Sequence, residues 1–287
     1  MINTMRVIDL INIASEHLKD RGFENPRLEV ERMLGSVLDL SRIDIYMEFE
    51  RLLTDSERDD FRTLYKRRLA HEPLQHIVGS TDFKEITVKT DRRALIPRPE
   101  TELLVEIALE FLIHCDMPLV ADIGTGSGVI ALSIAREIPE SQVVAVDISD
   151  EALALAQENA RLLGVEDRVA FVSGNMLDGL KNRGPFDSII SNPPYVKSSV
   201  IKHLQPEVRD FDPEVALDGG RDGLRFLRVI VRGSDRFLKS GGLLLLECGE
   251  DQSAKVKEKI TAVNLYSEVE TINDLAGKSR IVKAIKK

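Results

Sequence analysis

The chain has 287 residues, 43% of them apolar and 30% charged, enough for one full α/β domain plus a smaller one, and not the composition of a disordered or fibrous chain. Its 48 acidic against 39 basic side chains leave a net charge of -9, which repels a phosphate backbone, so no DNA partner is expected. Two cysteines, Cys115 and Cys248, stand in no CxxC or Cys/His spacing, which signals neither a disulfide framework nor a metal site, and the absence of an apolar run of signal-peptide or membrane-span length predicts a cytoplasmic protein.

In the first 70 or so residues, apolar positions recur at helical spacing: Val7, Leu10, Ile11, Ala14 and Leu18, then Val30, Met33, Leu34, Val37 and Leu38. Asn25-Pro26 reads as a helix start, and Thr54-Asp55-Ser56-Glu57 has the form of a capping box leading into Phe61, Leu64, Tyr65 and Leu69. Residues 1–72 are therefore expected to form a small all-helical domain. Residues 73–99, with Phe83, Ile86 and Val88 among polar neighbours, predict a hairpin linker. A helix follows from about Thr101 to His114. Beyond it, strands at Leu119–Ile123, Val143–Val146, Val169–Val172, Ser188–Ile190 and Leu243–Leu246 alternate with helices near 128–137, 150–163 and 223–238. That alternation predicts an α/β domain over 100–287, a Rossmann-like parallel sheet with helices on both faces. The tail, around Ser267–Ile272 and Arg280–Ile285, is expected to add a hairpin at the sheet edge.

Gly124-Thr125-Gly126-Ser127-Gly128 closes the first of these strands and opens a helix, where a glycine-rich turn lets a ligand approach backbone N–H groups. The spacing is G-x-G-x-G. Val129 stands where a dinucleotide loop carries its third glycine. Asp147 ends the next strand nineteen positions after Gly128, where a carboxylate can accept both hydroxyls of a ribose; a helix cap at Ser149-Asp150 is its competing use.

The strand Phe186–Ser191 runs directly into Asn192-Pro193-Pro194-Tyr195. Two prolines end the strand and leave carbonyls free to face a pocket. A planar amide or amino nitrogen is a poor nucleophile that must be oriented. The Asn192 oxygen can accept one of its N–H groups, the Pro193 carbonyl the other, and the Tyr195 ring can stack on the acceptor, so Asn192, Pro193, Pro194 and Tyr195 are the expected acceptor-binding and catalytic residues. A rigid turn with an aromatic plug is the bland alternative. In register with the glycine loop and Asp147, the tetrapeptide points to methylation of a planar nitrogen.

These motifs, together with Pro73-Leu74-Gln75-His76-Ile77-Val78-Gly79, Ile96-Pro97-Arg98-Pro99-Glu100-Thr101-Glu102 and Asp218-Gly219-Gly220, make the chain resemble the class I methyltransferases and, more closely, the HemK/PrmC family of release factor glutamine methyltransferases. The resemblance spans nearly the whole chain. It implies S-adenosylmethionine as cofactor and class 1 peptide chain release factors as partner, the acceptor being the N5 side-chain amide of the glutamine in their Gly-Gly-Gln motif. It also implies that Gly124, Thr125, Gly126, Ser127 and Gly128 contact the methionine end of the cofactor, Asp147 the ribose, Asn175 or Met176 the adenine region, and Asn192 the acceptor next to the cofactor. Asn175-Met176 departs from the acidic-aromatic pair frequent in relatives, so methionine packing would replace ring stacking there. The stretch around Arg98 to Thr101 reads as a lid or floor of the cofactor site, or as a helix start. The helical domain is the expected release-factor docking domain, with Arg62, Lys66, Arg67 and Arg68 as a basic cluster on it.

The rival reading is a nucleic-acid methyltransferase acting on an adenine amino group, which fits the same clamp once flipped out of its stack. The acidic balance and the small mixed-charge helical domain weigh against it. A nucleotide sensor or a dehydrogenase would leave Asn192 to Tyr195 without a task.

Overall fold

All five apolar positions of the first helical stretch face inward: Val7, Leu10, Ile11, Ala14 and Leu18 are buried along α1 (Val7–Asp20) in a computed structural model that describes residues 5–287. Pro26 opens α2 (Pro26–Leu38), which buries Val30, Met33 and Leu34; α3 (Arg42–Met47) follows. The reciprocal cap predicted at Thr54 is present at the start of α4 (Asp55–Leu69), with the Thr54 hydroxyl accepting the Glu57 N–H and the Glu57 carboxylate accepting the Thr54 N–H at 2.8 Å. A further short helix, α5 (Leu74–Val78), enters at Pro73 and is stopped by Gly79 at φ 80°. The predicted linker thus begins as helix, because proline presets the first turn and glycine takes the left-handed exit. One core joins these helices.

The chain through Gly79 forms one unit together with Pro206–Phe211. That returning segment is held by Arg68, which is 3% exposed, pairs with Glu29 at 2.5 and 3.0 Å and with Glu207 at 2.6 Å, and lies over the Phe23 ring. Of the expected basic cluster, Arg68 points inward and Arg67 is forked onto Glu72 at 2.9 Å, while Lys66 and Arg62, the latter paired with Asp59, are exposed.

The second unit, Ser80–Gln205 with Asp212–Lys287, opens with an antiparallel hairpin of β1 (Ser80–Phe83) and β2 (Ile86–Lys89). There follow α6 (Pro99–Leu112), β3 (Leu119–Ile123), α7 (Val129–Glu137), β4 (Gln142–Asp147), α8 (Asp150–Leu163), β5 (Val169–Ser173) and β6 (Phe186–Ser191). Next come α9 (Ser198–Ile201), α10 (Pro206–Arg209, in the first unit), α11 (Glu214–Leu217), α12 (Arg225–Gly233), β7 (Leu238–Glu247), α13 (Ser253–Val263), β8 (Tyr266–Asn273) and β9 (Ser279–Lys286). Seven strands form one sheet in the order β5-β4-β3-β6-β7-β9-β8.

The five strands from β5 to β7 are parallel and the last two antiparallel, so the sheet is mixed. The tail hairpin inserts its second strand beside β7: β9 buries Ile281, Val282 and Ala284, whereas edge strand β8 buries Tyr266 alone. The parallel strands read as continuous apolar runs because both faces are covered. Val143 and Ala145 of β4 and Leu243 and Leu245 of β7 pack with α6 and α7, while Val144, Val146, Leu244 and Leu246 pack with α12 and α13. Strand order reverses between β3 and β6, which opens a crevice at their carboxyl ends. Among the described residues, no helix is long and apolar enough to cross a membrane.

Candidate active site

A cavity occupies that crevice. Gly124 to Ser127 reach it from the end of β3, Asp147 from β4, Asn175 and Met176 from beyond β5, and Asn192 and Pro194 from β6. Residues 93–98 and Thr101 line it opposite the strands, which makes this stretch part of the cavity wall as well as a helix start. Arg98 is fixed there by a 2.6 Å pair with the buried Asp212, whose other oxygen accepts the Ile96 N–H at 3.4 Å. Burial pushes the Asp212 carboxyl up to about 6.

Gly124 and Gly126 sit at φ 74° and 56°. No atom lies within 4 Å of where a Gly124 side chain would start, so backbone faces open space. Gly128 does something else. It caps α7 at φ 91°, a Cβ there would stand 3.1 Å from Ala156 of α8, and it does not line the cavity. Its service is to let two helices approach.

Asp122, just before the loop, accepts the Thr125 hydroxyl at 2.6 Å and the Ala131 N–H at 3.2 Å on one oxygen, while its other oxygen has no protein partner. Full burial lifts this carboxyl to about 7. Asp147 accepts the Gly126 N–H and the Ser149 N–H, each at 2.9 Å, and burial raises its pKa. The cap of α8 is Ser149, whose hydroxyl accepts the Ala152 N–H; Asp147 braces the two loops and keeps lone pairs for the cavity. Met176, at φ 52° and 7% exposed, starts a 3₁₀ turn (Met176–Leu180) at the cavity wall.

At the other end, β6 stops at Ser191, whose hydroxyl donates to the Ile123 carbonyl at 2.6 Å. The Asn192 Nδ2 donates to Thr101 Oγ1 at 3.0 Å, Thr101 donates to Glu247 Oε2 at 2.8 Å, and the Tyr195 hydroxyl donates to Glu247 Oε1 at 3.1 Å. Pro193 is buried, and the Tyr195 ring packs against the α12–α13 core; neither lines this cavity. Burial lifts Glu247 to about 7, with Glu100 adding to the rise, and it also raises the Tyr195 phenol, helped by the Glu247 charge.

Behind the tetrapeptide, Gln252 Nε2 donates to the Tyr195 carbonyl at 2.9 Å, and Gly219 and Gly223 lie so close that a Cβ on either would come within 2.7 Å of the Tyr195 backbone. Sequence reasoning passed over Asp212, Glu247 and Gln252, gave Asp122 no role of its own, and placed Thr101 only in a lid, floor or helix start. Asp122 and Glu247 carried a legible signal, each being an acid within or at the end of an apolar strand.

A family model described as the PrmC N-terminal domain matches residues 9–79, and one described as the methyltransferase small domain matches residues 101–205. A release factor glutamine methyltransferase of Moorella thermoacetica is 40% identical over 274 residues, 96% of each chain. That of Geobacter sulfurreducens is 40% identical over 266 residues, 93% of this chain and 92% of the relative. Among solved structures, the hMettl16 catalytic domain in complex with MAT2A 3′UTR hairpin 6 matches with a TM-score of 0.57 at 16% identity, over 83% of this chain and 84% of that one, a likeness of fold.

Proposed function

The chain belongs to the release factor glutamine methyltransferases, and on that premise we propose that it moves a methyl group from S-adenosylmethionine to the N5 side-chain amide of the glutamine in the Gly-Gly-Gln motif of class 1 peptide chain release factors. The observation that carries this reading is Asn192: its amide nitrogen is tied to Thr101, which leaves Oδ1 as a hydrogen-bond acceptor at the cavity wall.

The residues present suit the cofactor. Open glycine backbone admits close approach, the Asp147 carboxyl at the cavity wall favours a cation nearby, and Met176 offers an apolar, polarisable residue there. Gly124 to Ser127 would hold the methionine end, Asp147 the ribose, and Asn175 and Met176 the adenine. When bound, S-adenosylmethionine supplies an electrophilic methyl on a sulfonium.

An amide nitrogen delocalises its lone pair into its carbonyl, so orientation is the protein's main contribution. Asn192 Oδ1 accepts one N–H of the glutamine amide, and Pro194 at the cavity wall bounds the acceptor. The bound cofactor would give up its methyl carbon to the amide nitrogen and keep the carbon–sulfur electron pair. The surplus proton on the methylated nitrogen is acidic and passes to solvent, so no strong base is required.

The helical unit (residues 1–72) is assigned to docking the release factor, residues 73–99 to a linker and 100–287 to catalysis, in the cytoplasm where translation terminates. The adenine reading draws no support from relatives that match over nearly the full length. The deciding experiment incubates the protein with labelled S-adenosylmethionine and, separately, a release factor, a ribosomal-protein mixture and DNA, and maps the label by mass spectrometry. Label on the glutamine of Gly-Gly-Gln is expected; label on DNA and none on the release factor would overturn the assignment.

A further inference from the structure

Glu247 is 0% exposed at the end of β7, and each of its two oxygens accepts from one hydroxyl, Thr101 on one side and Tyr195 on the other. It lies 146 positions from Thr101 and 52 from Tyr195, and Asn192 lies 91 from Thr101, so tertiary packing alone assembles the group. We infer that Glu247 is a positioning residue that acts through the Thr101 hydroxyl to fix which end of the Asn192 carboxamide faces the cavity, selecting acceptors that bring an N–H. The inference rests on the proposed glutamine-methylating function and deepens it.

An ionised carboxylate only accepts hydrogen bonds. With its hydrogen committed to Glu247, Thr101 has only lone pairs left to offer Asn192. The NH2 end of Asn192 must then face Thr101, and Oδ1 must face the cavity. A Thr101 hydrogen released from Glu247 could donate to Oδ1 instead; the carboxamide would turn over and set its own N–H groups against those of the substrate. The same carboxylate holds Tyr195, so both ends of the tetrapeptide are referred to one buried point.

Such a carboxylate costs stability where it stands, since its burial is not matched by a direct ion pair among the described residues, and acids kept under those conditions concentrate at functional sites. The other charged or titratable groups that act on it are Glu100 from α6, Arg280 from β9 and Tyr195.

The test compares full-length Thr101→Val, Thr101→Ser, Glu247→Gln and the Thr101→Val/Glu247→Gln double variant with the unaltered protein, on a release factor with labelled S-adenosylmethionine. Thr101→Val keeps the side-chain shape and removes the hydroxyl. Its kcat is expected to fall about 10-fold or more, with cofactor Kd changed less than about twofold, and Thr101→Ser should recover most of that loss. The double variant should be no slower than the worse single one, because both break one relay. The unaltered protein's kcat should rise with pH through an inflection near 7, which Glu247→Gln removes. A Thr101→Val rate equal to the unaltered one, additive losses, or an inflection that survives Glu247→Gln would each overturn the inference. If Glu247→Gln fails to fold, the Val and Ser pair still decides it. An unaltered protein that leaves glutamine unmethylated refutes the proposed function itself, whereas an active one with unimpaired Thr101→Val refutes the positioning role alone.

Discussion

The two ends of the cavity are built by different means. At the glycine-loop end the bonds are short in sequence or follow adjacent strands: Asp122 to Thr125 spans 3 positions, Asp147 to Ser149 spans 2, and Asp147 to Gly126 spans 21 across the β3–β4 pair. At the tetrapeptide end, the proposed acceptor site, Asn192, Thr101, Glu247 and Tyr195 meet across spans of 91, 146 and 52. Backbone shape dominates the first end; a side-chain relay dominates the second. A loop whose geometry comes from glycine dihedrals can be reused for one ligand on many chains, whereas a relay has to be assembled afresh by each fold.

The sharpest way to separate the two ends is Asn192→Ala. Turnover is expected to fall about 100-fold or more while cofactor affinity, measured by calorimetry, stays within a few-fold, because orientation is lost and the glycine loop is untouched. An unchanged rate would remove Asn192 from the chemistry. Gly126→Ala probes the other end: at φ 56° a side chain is strained, by about 1–2 kcal/mol, and cofactor affinity should drop roughly tenfold with a smaller effect on kcat at saturation.

Gly223→Ala should weaken the acceptor end from behind. A Cβ there would stand 2.2 Å from Gln252 Nε2 and 2.3 Å from the Tyr195 carbonyl, so the Gln252–Tyr195 bond must break; a stability loss of about 1–3 kcal/mol by urea denaturation is expected, with a several-fold fall in kcat. Equal losses of cofactor affinity and kcat would mean the two ends are not independent.

The smallest expected effect is in pH. Glu247 rises from an ordinary 4.5 to about 7 on folding, so between those values the folded chain holds a proton that the unfolded chain has released. Stability therefore falls as pH rises through this window, and Asp122, also lifted to about 7, acts in the same direction. Unfolding free energies at pH 5 and pH 8 should show that decline, and Glu247→Gln should make it shallower. An identical slope in the variant would place the Glu247 titration elsewhere.

The same contrast between local and distant partners governs how much of the molecule is legible in its sequence. The capping box at Thr54, the parallel strands from β3 to β7 and the glycine loop all rest on residues within a few positions of one another, where periodicity and dihedral preference act directly. Helix α13 is not legible because Ser253–Val263 carries only Ser253, Val256 and Ile260 on its buried face. The placement of β9 inside β8 is not legible either, since either strand of the tail hairpin has enough apolar residues to pair with β7. Arg68 reads as surface charge because its partners, Glu29 and Glu207, lie 39 and 139 positions away.

By itself, then, the amino-acid sequence determined the helical first unit, the α/β second unit, the glycine loop and the Asn192–Tyr195 tetrapeptide that suggested a planar nitrogen acceptor. Only the tertiary structure decided which atom of Asn192 is tied to Thr101, that Gly128 lets α7 and α8 approach while Gly124 and Gly126 line the cavity, and that Tyr195 turns its hydroxyl to Glu247. The physical reason is that a dihedral or a cap is a property of neighbouring residues, while the direction of a hydrogen bond in a buried network depends on a proton whose owner can be anywhere in the chain.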